Sequence, residues 1–181
     1  GGRAAALLLA AGAAAAGGCA WAVQGELTTA WDEVPLPAGL EGLDGVKIAQ
    51  ISDVHSADLE GPLRAALEEA APDLIVMTGD LVNREDRDLS RALSLARMAA
   101  ETAPAFFAPG NHEVDSPCWP ELRDGLEAAG VQVLEDRAVL RNFRGEAVNL
   151  EGLWDLNHDP LGQAHARETL PERIRVLCRE G

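Results

Sequence analysis

The stretch "KIAQISDVHSADLEGPL", Lys47–Leu63, decides how the rest of the chain is read. Its opening, an apolar run from Val46 to Ile51, has the length and composition of a strand. The run ends on Asp53 and His55, two residues apart; Pro62 then suits the first turn of a helix that Pro72 stops after Ala71. An aspartate at a strand end has a structural use, because its side chain can cap the next turn. The pair alone does not require chemistry, so what recurs downstream decides its meaning.

Working outward, the same alternation repeats. "DLIVMTGD", Asp73–Asp80, reads as a second strand, and a helix is expected from about Asp88 to Glu101 with Leu89, Leu93, Ala96 and Ala100 near one face. "AFFAPGNHE" reads as a third strand, followed by a helix over Trp119–Ala129 that ends at Gly130, and by "VQVL", Val131–Leu134. "AVLRNF" and "EAVNLEGLW", separated by Arg144 and Gly145, form a hairpin pattern. Strands alternating with helices of this length imply an α/β fold with right-handed crossovers and a mostly parallel sheet.

In such a sheet the carboxyl ends of the strands face one crevice, where ligands bind. "ISDVH", "MTGDLVN" and "APGNHE" each put metal-ligand residue types at that end, so Asp53, His55, Asp80 and Asn111 converge there. Residues i and i+2 of an extended chain point the same way, which lets Asp53 and His55 reach one ion. Asn111 and His112 are adjacent and diverge, so one can coordinate while the other faces a substrate. Gly79 and Gly110 lack a Cβ, which permits a sharp turn before each ligand. A carboxylate, imidazole and amide set suits manganese, iron or zinc better than calcium.

In that order and spacing, "DVH", "GDLVN" and "GNHE" resemble the first three signature blocks of the calcineurin-like metallophosphoesterases. "KIAQISDVHS" with "PDLIVMTGDLVN" further resembles the bacterial membrane-anchored branch of phosphodiesterases and UDP-2,3-diacylglucosamine pyrophosphatases. The resemblance, which runs from about Gly45 to Trp154, implies an αββα sandwich and two divalent metal ions, Mn, Fe or Zn. Asp53 and His55 would hold the first ion, Asp80 would bridge both, and Asn111 would bind the second. His112 would stand at the scissile phosphate as a catalytic residue. Asn83 occupies the position where phosphoprotein phosphatases carry an Asp that orients this His. The implied reaction is two-metal hydrolysis of a phosphodiester or pyrophosphate bond by hydroxide attack on phosphorus, with an amphiphilic substrate in the membrane-anchored branch.

Two further blocks of the family pattern, a His after a later strand and a Gly-His-x-His turn, do not occur in these residues. His158 and His165 are the remaining histidines, and neither follows a strand. The expectation is therefore a C-terminally truncated family member, with an incomplete second sheet and weak or no activity. A non-catalytic anchored binding module that keeps the crevice is the alternative. Neither G-x-G-x-x-G nor a P-loop occurs, which sets aside a nucleotide-binding α/β domain.

Composition bounds the partners. A net charge of -15 over 181 residues repels a long anionic polymer, so nucleic acid is excluded as the expected partner. Cys19, Cys118 and Cys178 are far apart and show no C-x-x-C spacing, which argues against a disulfide framework and a structural zinc site. Arg3 precedes an uncharged run, Ala4–Val23, of bilayer-spanning length. Residues 1–23 are thus expected to be a signal or membrane anchor, 24–44 a linker, and 45–181 the N-terminal part of the catalytic domain. That organisation implies a membrane-anchored or exported bacterial protein.

Overall fold

The computed structural model describes residues 3–10, 26–36, 38–154 and 167–172. The strands are β1 (Arg3–Ala10), β2 (Thr28–Pro35), β3 (Lys47–Ser52), β4 (Leu74–Met77), β5 (Ala105–Phe107), β6 (Gln132–Val133), β7 (Arg137–Phe143) and β8 (Glu146–Gly152). The helices are α1 (Glu60–Ala70), α2 (Ser90–Thr102), the short α3 (Asn111–Val114) and α4 (Trp119–Ala128), and residues 167–172 are helical as well. The main sheet has the order β2-β1-β3-β4-β5-β6, and β3 to β6 run parallel. Ile51 pairs with Met77, and Met77 with Phe107. With those three residues level, the loops after β3, β4 and β5 leave the sheet along one edge, as the alternating pattern implies.

Strand alternation divides the interior into two cores. Ile75, Met77 and Phe107 point to the side covered by α1, α2 and α4, in a large cluster with Leu63, Leu67, Leu95 and Leu122. Leu74 and Phe106 point the other way and meet Leu134 and Val139, with Phe143 and Leu150 packed alongside. The covering element there is the antiparallel pair β7–β8. Its two-residue turn has φ of 54° at Arg144 and 93° at Gly145, the double left-handed geometry that matches strand twist. The result is a helix layer, a mostly parallel sheet and the beginning of a second sheet, consistent with a partial αββα sandwich.

Several boundaries differ from the pattern reading. In α2 the buried residues are Ala92, Leu95, Ala96, Met98 and Ala99, rather than a stripe through Leu93 and Ala100. Leu93 is partly buried at the margin of this buried set and lies over Gly125 of α4, where an added Cβ would come within 2.6 Å of Leu93 Cδ2. The third strand stops at Phe107, and Asn111 already begins α3. Pro109 has no N–H to extend the ladder, and Glu113 turns back to accept from Gly110 N at 2.9 Å.

Residues 24–44 hold the exposed strand β2 and a short turn at Glu41–Leu43, so much of this linker is extended. Of the expected anchor, Arg3–Ala10 forms β1, parallel to β3, while residues 11–25 lie outside the described residues. No helix of the described residues is long and apolar enough to cross a membrane.

Candidate metal centre

The sharp exit of each strand positions the polar cluster. Asp53, His55 and Ser56 have φ of 56°, 50° and 57°, and Asp80 has 54°, directly after Gly79 at 85°. Non-glycine residues in this left-handed region cost about 1–3 kcal/mol each in general, least for Asp and Asn, and concentrate at functional sites. Backbone bonds hold the strained loops together: Asp53 N to Gly79 O at 3.3 Å, His55 N to Asp80 O at 2.9 Å, and Ser56 N to Leu81 O at 2.9 Å. Asp53 and His55 therefore share a side through two left-handed turns, not through the extended backbone that their spacing suggests.

Asp53, His55 and Asp80 each offer a ligand atom, and the three atoms lie within 4.8 Å of one another. Ligands at about 2.0–2.2 Å from a single ion stand at most about 4.4 Å apart, so a slight side-chain adjustment closes the set. His55 Nε2 is 4.0 Å from Asp53 Oδ1, and both side chains are partly open to solvent. The buried Nδ1 of His55 has no hydrogen-bond partner. Two carboxylates and an imidazole around one point, with a ring nitrogen unsatisfied, fit a divalent cation.

Asn111 opens α3 directly after Gly110, which packs against Asp80; it is half-buried, and His112 follows it. The His112 ring meets the His55 ring edge-on at a centroid distance of 4.7 Å. His112 N donates to Asp80 Oδ1 at 3.2 Å, and Arg84 N donates to His112 Nδ1 at 3.2 Å. Asn83, expected beside His112, directs its amide elsewhere. Its Nδ2 donates to His55 O at 3.0 Å and to Asp86 Oδ2 at 3.2 Å. The contact to the His112 ring thus comes from the backbone of the next residue.

Asp86 also accepts from Ser56 Oγ at 2.5 Å and from Asn83 N at 2.8 Å. Burial, the largest single influence on its carboxyl, raises the pKa. The hydrogen bonds from Ser56 and Asn83, with the charge of His55, outweigh burial and leave the pKa lowered. His158 and His165 lie outside the described residues.

The sequence reading missed Glu113. Its side chain is completely buried and accepts from Asp80 N, Leu81 N and Val82 N at 2.8, 2.7 and 3.1 Å, as well as from Gly110 N. The signal available was an acidic residue one place after His112 in a chain turn that must be buried. Gly79 and Gly110 also act differently from each other. Gly79 needs both its positive φ and the open space beside Gly110, whereas Gly110 has φ of -88° and is required by contact alone: an added Cβ would lie 2.4 Å from Asp80 Oδ1.

Residues 46–178 match the calcineurin-like phosphoesterase family, and the chain belongs to that family. It is similar to the "Transmembrane protein with metallophosphoesterase domain" of Danio rerio, with 30% identity over 138 residues, covering 68% of this chain and 30% of that protein. It is also similar to an "Uncharacterized metallophosphoesterase" of Aquifex aeolicus (strain VF5), with 35% identity over 117 residues, covering 60% of this chain and 42% of the relative. The matches thus span under half the length of either relative. Both relatives are named for a metallophosphoesterase domain or activity, in keeping with a family of metal-dependent phosphoester hydrolases.

Proposed function

We propose that these residues carry the first half of a two-metal site for hydrolysis of phosphodiester or pyrophosphate bonds. The observation that carries this reading is the convergence of Asp53, His55 and Asp80 donors within 4.8 Å. Asp53 and His55 hold one ion, Asp80 is shared, and Asn111 serves the second. When bound, the ions neutralise phosphoryl oxygens and make water a nucleophile near neutral pH. Such cations are electrostatically necessary, because an anionic substrate otherwise approaches a chain of net charge -15.

His112 supplies the contact to the leaving oxygen. Because Arg84 N donates to its Nδ1, the neutral ring carries its proton on Nε2 and can donate it there. Asn83 and Asp86 act from behind, fixing the loop that bears Arg84. In this reading residues 1–23 export or anchor the protein in a bacterial envelope, and the substrate is an amphiphilic phosphate ester. The anchored, non-catalytic binding module remains a second reading, favoured by Asn83 in place of an acid and by the lack of a Gly-His-x-His sequence in these residues.

The test compares manganese-dependent hydrolysis of bis(p-nitrophenyl) phosphate by four proteins: the 181-residue chain, its His112→Ala variant, and both forms extended with a strand-His and a Gly-His-x-His segment. The short chain should bind manganese yet hydrolyse no faster than its variant, and the extended form should show turnover that His112→Ala removes. Manganese binding by an extended chain that has no His112-dependent turnover supports the binding module instead.

A further inference from the structure

We infer that Glu113 is the positioning residue of the metal centre, an internal anion that locks the loop carrying Asp80 against the turn carrying Asn111 and His112. This role rests on the proposed assignment of Asp80 as a metal ligand.

The loop after β4 exposes a run of backbone donors. Left-handed φ at Gly79 and Asp80 turns the N–H groups of Asp80, Leu81 and Val82 to one side, forming the kind of concavity that binds anions. Here the Glu113 side chain occupies it: one oxygen accepts from Leu81 N and Val82 N, the other from Asp80 N and Gly110 N. An ionised carboxylate offers about four lone-pair sites, so these donors use its capacity in full. With the side chain completely buried, no water is needed to complete the set.

The arrangement does more than stabilise a turn, because the partners come from two strand ends. Three donors belong to the loop after β4, and the fourth belongs to the turn after β5. The two backbones meet so closely that a Cβ on Gly79 would lie 2.5 Å from Gly110 N. Glu113 stands in the same helical turn as Asn111 and His112, so fixing its carboxylate fixes their backbone as well. His112 N donating to Asp80 Oδ1 closes the ring of contacts. The Asp80 carboxylate is thereby left facing the Asp53 and His55 side while its backbone is held from behind.

The amide of Glu113→Gln would turn an NH2 group toward two backbone donors and so disrupt half the cradle. Outer residues that orient metal ligands typically change affinity by about 10–100-fold, and a loss of at least about tenfold in manganese affinity is expected here. Titration calorimetry on folded protein, verified by cooperative thermal unfolding, provides the measurement. Leu67→Ala, in the helix-side core, is the control for lost stability and should keep wild-type affinity. If Glu113→Gln does not unfold cooperatively, Glu113→Asp, which keeps the charge but shortens the reach, is read in its place with the same expectation. Wild-type affinity in the folded Glu113 variant overturns the positioning role, as does an equal loss of affinity in Leu67→Ala. A wild-type chain that binds no manganese overturns the metal assignment itself.

Discussion

The loop after β3 and the loop after β4 each bring a carboxylate to the centre, but they are built to different tolerances. Asp80 sits on a backbone whose N–H groups are held by a buried carboxylate, with glycine packed against it from the neighbouring turn. Asp53 and His55 have side chains 49% and 36% exposed, respectively, and their loop is tied down by three backbone bonds and the contacts of Ser56 and Asn83. The backbone of Asp80, the proposed shared ligand, is thus set by the protein itself, whereas the more exposed Asp53 and His55 side chains would complete their geometry around an ion. The strain of the left-handed residues is spread over both loops, but only one has a dedicated internal counterpart.

The largest effect should come from breaking the tight side. In Gly110→Ala the backbone conformation is acceptable to alanine, yet the new methyl would stand 2.4 Å from Asp80 Oδ1 and 2.8 Å from Asp80 N. The loop must move, with a stability loss of about 1–3 kcal/mol by analogy with overpacked interiors, and manganese binding should fall below detection. Urea unfolding and metal titration check both. Wild-type binding in this variant would mean that the Asp80 loop is as adaptable as the Asp53 loop.

Next in size is the contrast between ligands. Asp80→Ala should abolish bound metal, because this residue is assigned to both ions, while Asn111→Ala should leave the first ion in place. Elemental analysis after gel filtration reads the difference directly. Metal content unchanged in Asp80→Ala would remove the assignment of the shared ligand.

The tight and adaptable loops were not equally legible in the sequence. Periodicity located the β3, β4 and β5 strands and their helices, because apolar spacing is imposed by the sheet and its cover. The hairpin turn was readable from Arg144 and Gly145, whose local geometry depends little on the rest of the molecule. Asp53, His55 and Asp80 were visible as ligand types recurring at strand ends. Glu113 was not, since its role depends on donors some 30 residues earlier that converge on it only in three dimensions. The partner of His112 was misread for the same reason: a backbone N–H, present at every non-proline residue, leaves no mark in the sequence. The α2 stripe differs from the expected one in leaving Leu93 at its margin, and the close seat of Leu93 over Gly125 of α4 is a feature of helix packing that α2 itself does not encode.

A smaller effect should follow from loosening the Asp53 side. Asp86 joins Ser56 to Asn83, and Asp86→Asn replaces an anionic acceptor by an amide, for a loss of about 1–2 kcal/mol at neutral pH. The net lowering of its pKa sets the sign: the contribution is complete above the ordinary Asp value of about 4 and disappears as pH falls through the lower folded value. Unfolding midpoints of wild type and variant should therefore converge on acidification. A gap that persists undiminished in strong acid would show that Asp86 acts by packing, not by charge.

The smallest expected effect sharpens the comparison by leaving both loops untouched. Glu60, in the first turn of α1, accepts from Ser94 Oγ on α2 at 2.7 Å and pairs with Arg64 at 3.1 Å. The Ser94 hydrogen bond, followed by Arg64, lowers the carboxyl pKa. Ser94→Ala should consequently give a small stability loss that is present above the ordinary Glu value of about 4.3 and fades as pH falls through the folded value. Neither partner belongs to the loops after β3 and β4, so manganese affinity should stay at the wild-type level throughout. Thermal midpoints across pH, with a metal titration at pH 7, measure the two properties on the same samples. If affinity drops with so slight a change at the helix layer, the centre responds to general loosening of the fold, and the contrast between a fixed and an adaptable loop no longer explains its metal binding.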